Sequence, residues 1–204
     1  MFANTQMMGV STPLGSEALG LTGFTGSEAL SQLFSFRLEL LAPNAVENVA
    51  GALLGEAVAF NLQKRQFHGI CSRISQGESN TTHTPYFAEV VPWLWLLTLN
   101  RNTRGFAELP VPDILEQVFD GRPVEFELQG SFNPRPYVLQ RNESDLQFVS
   151  RLMEEEGIFY FFRHSTDGHR LVVANSPESF TGLPAVQFDG DGERKRADTV
   201  YAWE

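Results

Sequence analysis

Residues 142–174 read N-E-S-D-L-Q-F-V-S-R-L-M-E-E-E-G-I-F-Y-F-F-R-H-S-T-D-G-H-R-L-V-V-A, and within this stretch the apolar period changes once, from helical to extended. Ser144 with Gln147 three residues on forms a capping-box pair, and Leu146, Phe148, Val149, Leu152 and Met153 fall within about 160° of a helical wheel. A helix with one dry face follows. Gly157 closes it as the residue most able to take a left-handed conformation. Ile158 to Phe162 continue as an aromatic-rich strand, and Ser165, Thr166, Asp167 and Gly168 turn the chain back into Leu171 to Ala174. This is a helix feeding a hairpin, a packed unit with sparse chemistry.

Working back from it, Tyr137 to Gln140 is a short strand, and Val124, Phe126 and Leu128 alternate against Glu125, Glu127 and Gln129 in another. Val111-Pro112-Asp113 opens a short helix whose Ile114, Leu115, Val118 and Phe119 pack inward, with Gly121 just past its end. A soft boundary falls near Leu109. Before it the pattern is that of strands. Phe34, Phe36, Leu38 and Leu40 share one face of a half-buried strand, which Pro43-Asn44 breaks. Val46 to Leu54 reads as a short helix with Asn44 as its cap and Gly55 at its close. Val58, Phe60 and Leu62 alternate in a second strand, and Phe67 to Ile74 makes a third, in which Gly69 suggests a bulge or a tight bend. Gln76 to Pro85 is a polar loop. Tyr86 to Leu99, the most apolar stretch, reads as a strand with Trp93 and Trp95 on one face and Pro92 marking an edge or bulge. The short echo of Gly15–Leu19 in Gly26–Leu30 reads as two similar strand starts. Downstream, Ala185 to Phe188 and Thr199 to Trp203 are strand-like, and the chain stops at Glu204 without a closing signal, which reads as a cut.

Several strands joined by short turns predict a β-rich α+β fold: a barrel-like antiparallel β domain, then a helix-plus-hairpin α/β segment. The 204 residues are enough for one large domain or two small ones. Seventeen phenylalanines, most of them in alternating segments, agree with dominant β structure. The formal charge of −10 would repel a phosphate backbone and argues against a nucleic-acid partner. One cysteine, Cys71, allows no internal disulfide and suits a reducing compartment. No window approaches the run of about eighteen apolar residues that a membrane span needs, and Met1 to Gly20 carries no basic start and apolar core of a cleaved leader.

Candidate chemistry is thin. His68, His83, His164 and His169 are the side chains with a neutral-range pKa. His164 and His169 flank a hairpin turn holding Asp167 and read as an exposed pair without a zinc signature. His68 lies on the opposite strand face from Cys71, which reads as a buried structural thiol. Glu154, Glu155 and Glu156 are either a solvated helix end or an acid cluster for glycan hydrolysis. Carboxylates there oppose the helix dipole, so one of the three should have a cationic partner, with Arg151 in reach. Trp93 and Trp95 are either core or a sugar-stacking platform. No phosphate-binding glycine loop, nucleophile elbow or paired cysteines are present.

Three stretches in register carry a resemblance: Pro13-Leu14-Gly15 through Gly26-Ser-Glu-Ala-Leu-Ser-Gln-Leu-Phe-Ser-Phe36, then Pro92-Trp93-Leu94-Trp95-Leu96-Leu97, then Asn142-Glu143-Ser144-Asp145 with Arg151 to Ile158. Leu53-Leu54-Gly55 and Phe67-His68-Gly69-Ile70 fit the same pattern. The chain resembles the N-terminal hub region of VgrG proteins, the spike of the type VI secretion system, which are similar to the baseplate hub of contractile-tailed phages. One departure is Arg104-Gly105-Phe106-Ala107, where that family leads one to expect a bulkier residue than Gly105 and a glutamine in place of Ala107.

The resemblance implies a non-catalytic structural part with no catalytic, cofactor or metal residues. It implies a trimer of the full-length protein docked on a hexameric tube, with effectors as further partners. It also implies assembly in the cytoplasm and export by the machine without a cleaved signal. On this reading residues 1–20 are a lead-in, 21–108 the barrel-like domain, 109–198 an inserted α+β segment, and 199–204 the start of a further β domain, which leaves the isolated chain monomeric or weakly associated. The rivals are a carbohydrate-binding module using Trp93 and Trp95 and a glycan hydrolase using Glu154 to Glu156.

Overall fold

Alternation of apolar and polar residues builds the first half of the chain. In a computed structural model, which describes residues 8–63 and 65–180 and the backbone of Gln187–Phe188 and Thr199–Val200, six strands form one antiparallel sheet. They are β1 (Met8–Ser11), β2 (Gly20–Ser27), β3 (Ser35–Pro43), β4 (Ala57–Leu62), β5 (Arg65–Gln76) and β6 (His83–Val91). Their order is β1-β4-β5-β6-β3-β2. The two edge strands, β1 and β2, come back into contact, so the sheet nearly closes into a barrel. β1 thus joins the barrel from within the stretch read as a lead-in.

The inward residues are those the period selects: Phe36, Leu38 and Leu40 of β3, Val58 and Phe60 of β4, Phe67 and Cys71 of β5, and Tyr86, Ala88 and Val90 of β6. Phenylalanine rings fill the middle. Phe60 and Phe67 stack at 4.9 Å, and Phe36 meets both edge-on at 5.2 and 5.1 Å. Each such buried ring contributes about 1.5–3 kcal/mol of hydrophobic stabilisation.

Three local expectations change. The helix α1 (Val49–Leu53) is shorter than Val46 to Leu54, and the residue before it is Asn48, in a left-handed conformation with no side-chain cap bond. Asn44 is not its cap. Its amide donates to the Asn80 carbonyl at 2.9 Å and accepts from Thr84 Oγ1 at 2.9 Å, which ties β3 to the loop before β6. Gly69 is not a bulge either: it pairs regularly with Val58, and the register shift in β5 falls between Cys71 and Arg73. Gly69 serves a close approach, because a Cβ there would lie 2.5 Å from Val90 Cγ1 and 2.6 Å from the Val91 carbonyl oxygen.

After Pro92 the chain leaves the sheet. Trp93–Thr98 is a 3₁₀ helix, so Trp93 and Trp95 do not share a strand face as the apolar run suggested. Continuous apolar runs carry no period to separate the two states, and Pro92 lacks the N–H that would continue the ladder. β7 (Arg101–Leu109), α2 (Val111–Phe119), β8 (Val124–Glu127), β9 (Arg135–Ser144), α3 (Asp145–Glu155), β10 (Phe159–Ser165), β11 (Gly168–Ala174) and a 3₁₀ turn, Pro177–Ser179, follow, with two short strands, β12 (Gln187–Phe188) and β13 (Thr199–Val200), pairing in parallel. The rest of the strands expected over Ala185 to Phe188 and Thr199 to Trp203, and the further domain expected at 199–204, lie outside the described residues.

β7 and β9 pair antiparallel, and β10-β11-β8 form a second small sheet in which β8 runs parallel to β11. The capping box holds as read: Ser144 Oγ accepts from the Gln147 N–H at 3.1 Å and Gln147 Oε1 from the Ser144 N–H at 3.0 Å. α3 buries Phe148, Val149, Leu152 and Met153 against Trp93, Leu94, Ile114 and Leu115. The first core thus ends at Val90 and the second begins at Trp93, ahead of the joint expected near Leu109, where β7 hands over to α2. Among the described residues no helix is long and apolar enough to cross a membrane.

Candidate functional site

The two units meet where the β10–β11 hairpin lies against β5. His164 and His169 face each other across the hairpin, their rings 6.0 Å apart. They are not the exposed pair that a polar turn suggests: the His164 side chain is 6 % exposed. The imidazoles press onto the barrel's aromatic rings, His164 at 5.1 Å from Phe34 and 5.5 Å from Phe67, and His169 at 5.4 Å from Phe34. Phe162 of β10 adds an edge-on contact to Phe34 at 5.0 Å and packs against both cores. Beside the joint lies a cleft of about 600 Å³, lined by Thr12, His68, Trp93, Asp167 and His169 among others.

Two backbone N–H groups donate to the hairpin imidazoles, one from β5 of the barrel and one from the 3₁₀ helix of the second unit. The His68 N–H donates to His164 Nδ1 at 3.1 Å, and the Trp93 N–H donates to His169 Nε2 at 3.0 Å. Both imidazoles are therefore neutral acceptors at those atoms, which puts the His164 proton on Nε2, 3.1 Å from Glu28 Oε1. Burial first, and then its neighbours His164 and His68, push His169 down to about 4. His68 is lowered, again mainly by burial. His83 stands apart at the start of β6, its Nδ1 2.8 Å from Thr82 Oγ1.

Neither rival reading finds its geometry. Trp93 is 4 % exposed, set edge-on to Phe119 at 5.8 Å and under the Arg122 guanidinium at 5.8 Å, while Trp95 is only half-buried on the same 3₁₀ turn. Two coplanar exposed faces are not offered. At the end of α3, Arg135 of β9 bridges Glu155 and Glu156, and Arg151 joins Glu155 at 3.2 Å to Glu143 at 2.7 Å. The Arg135 guanidinium holds the Glu155 carboxyl below its ordinary range, opposite to the raised acid that glycosidic cleavage needs. The cationic partner foreseen for this helix end is thus mainly Arg135, twenty residues away in sequence from Glu155.

Cys71 is buried, its Sγ donates to the Arg73 carbonyl at 3.4 Å, and burial pushes its thiol up to about 11. Among the described residues, no group of three His, Cys, Asp or Glu side chains is placed to hold a metal ion.

Sequence reading passed over Asp145, the first residue of α3. It is buried, and it accepts from Asn102 at 2.9 Å, Arg104 at 3.0 Å and Gln140 at 2.7 Å, tying α3 to the β7–β9 ribbon. Its position just after the Ser144 cap was the one available signal. The departure at Gly105 also has its place there: Tyr137 lies over it, so a Cβ would stand 2.4 Å from the Tyr137 hydroxyl.

Comparison with known proteins sets this geometry in context. A family model described as the phage tail baseplate hub (GPD) matches residues 27–204. Over 214 residues the chain is 40 % identical to the type VI secretion system spike protein VgrG1c of Pseudomonas aeruginosa, covering 98 % of this chain and 29 % of that protein. It spans between a fifth and a third of the length of the P. aeruginosa spike proteins it matches. Among solved structures, the E. coli c3393 protein, a type VI secretion component similar in structure to the T4 tail proteins gp27 and gp5, superposes with a TM-score of 0.72 at 24 % identity. That match covers 83 % of this chain and 51 % of the other. A Francisella PdpA–VgrG complex gives 0.60 at 10 % identity, over 83 % of this chain and 31 % of that one. At such identities the two structures speak to fold alone, and the fold is the β-rich one expected from the sequence.

Proposed function

The chain belongs to the phage tail baseplate hub family, and we propose that it is a non-catalytic structural part of the spike or baseplate hub of a contractile type VI secretion apparatus. The observation that carries this reading is the nearly closed six-stranded barrel with a helix-and-hairpin unit docked on its aromatic face. Two units packed through aromatic rings suit a structural part, a reading that rests on the fold. The titratable groups support it: the thiol of Cys71 is raised, the Glu155 carboxyl lowered and the His169 imidazole buried neutral, none of them poised for chemistry near pH 7.

In this reading the whole protein is a trimer that docks on the hexameric tube and carries effectors. It assembles in the cytoplasm and leaves with the machine, without a cleaved leader. Two measurements test it. Light scattering after size exclusion on the full-length protein should give a trimer, and the purified tube protein should co-elute with it. A monomer that ignores the tube protein overturns the structural reading, as does peptidoglycan hydrolysis that disappears on Glu155→Gln.

A further inference from the structure

Both hairpin histidines complete hydrogen bonding that the backbone leaves open. The β5–β6 ladder begins only at Ile70 opposite Val91, so the His68 N–H lies beyond it, and His164 Nδ1 receives that N–H. Trp93 is the first residue of the 3₁₀ helix, whose leading N–H groups have no partner within the helix, and His169 Nε2 caps it. An imidazole does this only while neutral, because protonation turns the acceptor into a donor aimed at a donor. We infer that this joint is acid-sensitive: protonating His169 breaks its bond to the Trp93 N–H, loosens the hairpin end, and so releases His164 from His68 and the tip of the β10–β11 hairpin from the barrel.

The charges around the joint do not rescue a protonated His169. Glu28, in the loop after β2, touches His164 and is shared with Arg65 at 3.3 Å. His169 has no carboxylate in hydrogen-bond reach among the described residues. It faces His164, His68 and the rings of Phe34 and Phe162, with Asp167 and Arg170 at the mouth of the cleft. His68 feels Asp167 only as its weakest influence, and its own Nδ1 is buried without a partner among the described residues.

The sign follows from linkage. Above pH 6.5 His169 is neutral whether docked or free, so the joint keeps its full strength. As pH falls below that value the freed hairpin takes up a proton that the docked one refuses until about pH 4. Between pH 7 and pH 5 the opening equilibrium should rise about twenty-fold from this residue alone.

Amide hydrogen exchange on the intact chain, each rate divided by its intrinsic value, reads that equilibrium directly. The Trp93 and His68 amides should show about a twenty-fold increase in opening between pH 7 and pH 5, while barrel-ladder amides such as Leu38 and Ala88 hold steady. His169→Gln keeps an acceptor that cannot be protonated and should flatten the response at Trp93. No increase in the wild type, or an equal increase in His169→Gln, overturns the inference. Should that variant fail to fold, the ¹⁵N shifts of the His169 ring in the wild type decide instead: titration near pH 4 supports the joint, and titration near 6.5 removes it.

Discussion

At Gly69 the barrel leaves no room for a side chain, and the nearest atoms include backbone. A methyl group there meets Val90 Cγ1 at 2.5 Å, the Val91 carbonyl oxygen at 2.6 Å and Phe34 at 3.3 Å. Val90 belongs to β6 inside the barrel, and Phe34 is the ring on which the hairpin rests, so the added atom presses on barrel and joint together. Backbone cannot yield as a long side chain can. Gly69→Ala should therefore destabilise the chain by about 1–3 kcal/mol, seen as a lower midpoint in urea with an unchanged slope. An unaltered midpoint would mean that β5 and β6 move apart more easily than this packing implies. Residue identity alone marked Gly69 as special but not why. The close approach depends on β6 and Phe34, which no local window contains.

Among the elements, α3 was the most legible, because three independent signals agreed on it: a capping box, one apolar face and a glycine stop. All three are present, with Gly157 at φ 66. Ser144→Ala removes the acceptor for the Gln147 N–H and one half of the reciprocal box. It should cost about 1 kcal/mol, and a thermal melt of the variant should fall by several degrees if the chain unfolds as one unit. Ser144→Asp, which keeps a capping oxygen, should recover most of it.

The hairpin after α3 was equally plain in its strands and wrong in its surroundings. Ser165 to Gly168 looks like any exposed turn, and nothing near it in sequence reveals that Phe34, Phe36 of β3 and Phe67 of β5 cover His164 or that Phe34 also covers His169. The 3₁₀ helix at Trp93–Thr98 was misread for the opposite reason, a run so apolar that it had no period to read. Local pattern gave the strands, their faces and the helix caps. Contacts between the two cores, Arg135 on Glu155 and Glu156, and Asp145 on Arg104 each join residues far apart in sequence, and those were out of reach.

For the molecule as a whole, the question is how much of its surface invites a second copy. A sheet whose edge strands meet leaves little free ladder for strand addition. Among the described residues, the exposed large apolar side chains are Leu30, Leu54, Leu62, Leu99, Phe126, Tyr137, Leu139 and Phe180, with Tyr137 and Leu139 on one face of β9 and Leu30 and Phe180 beside one hollow. A stable association commonly needs over about 1,000 Å² of well-matched surface. The net charge of −10 sets like against like, an effect that salt screens. The 204-residue chain, 22.8 kDa, should therefore run as a monomer or a weak associate at low micromolar concentration, whereas a trimer is proposed for the full-length protein. Light scattering after size exclusion at low and high salt decides it. A mass three times that of the chain, stable to dilution, would place the ring contact on this barrel and its docked unit alone, and would show that charge repulsion is outweighed by an apolar match between copies.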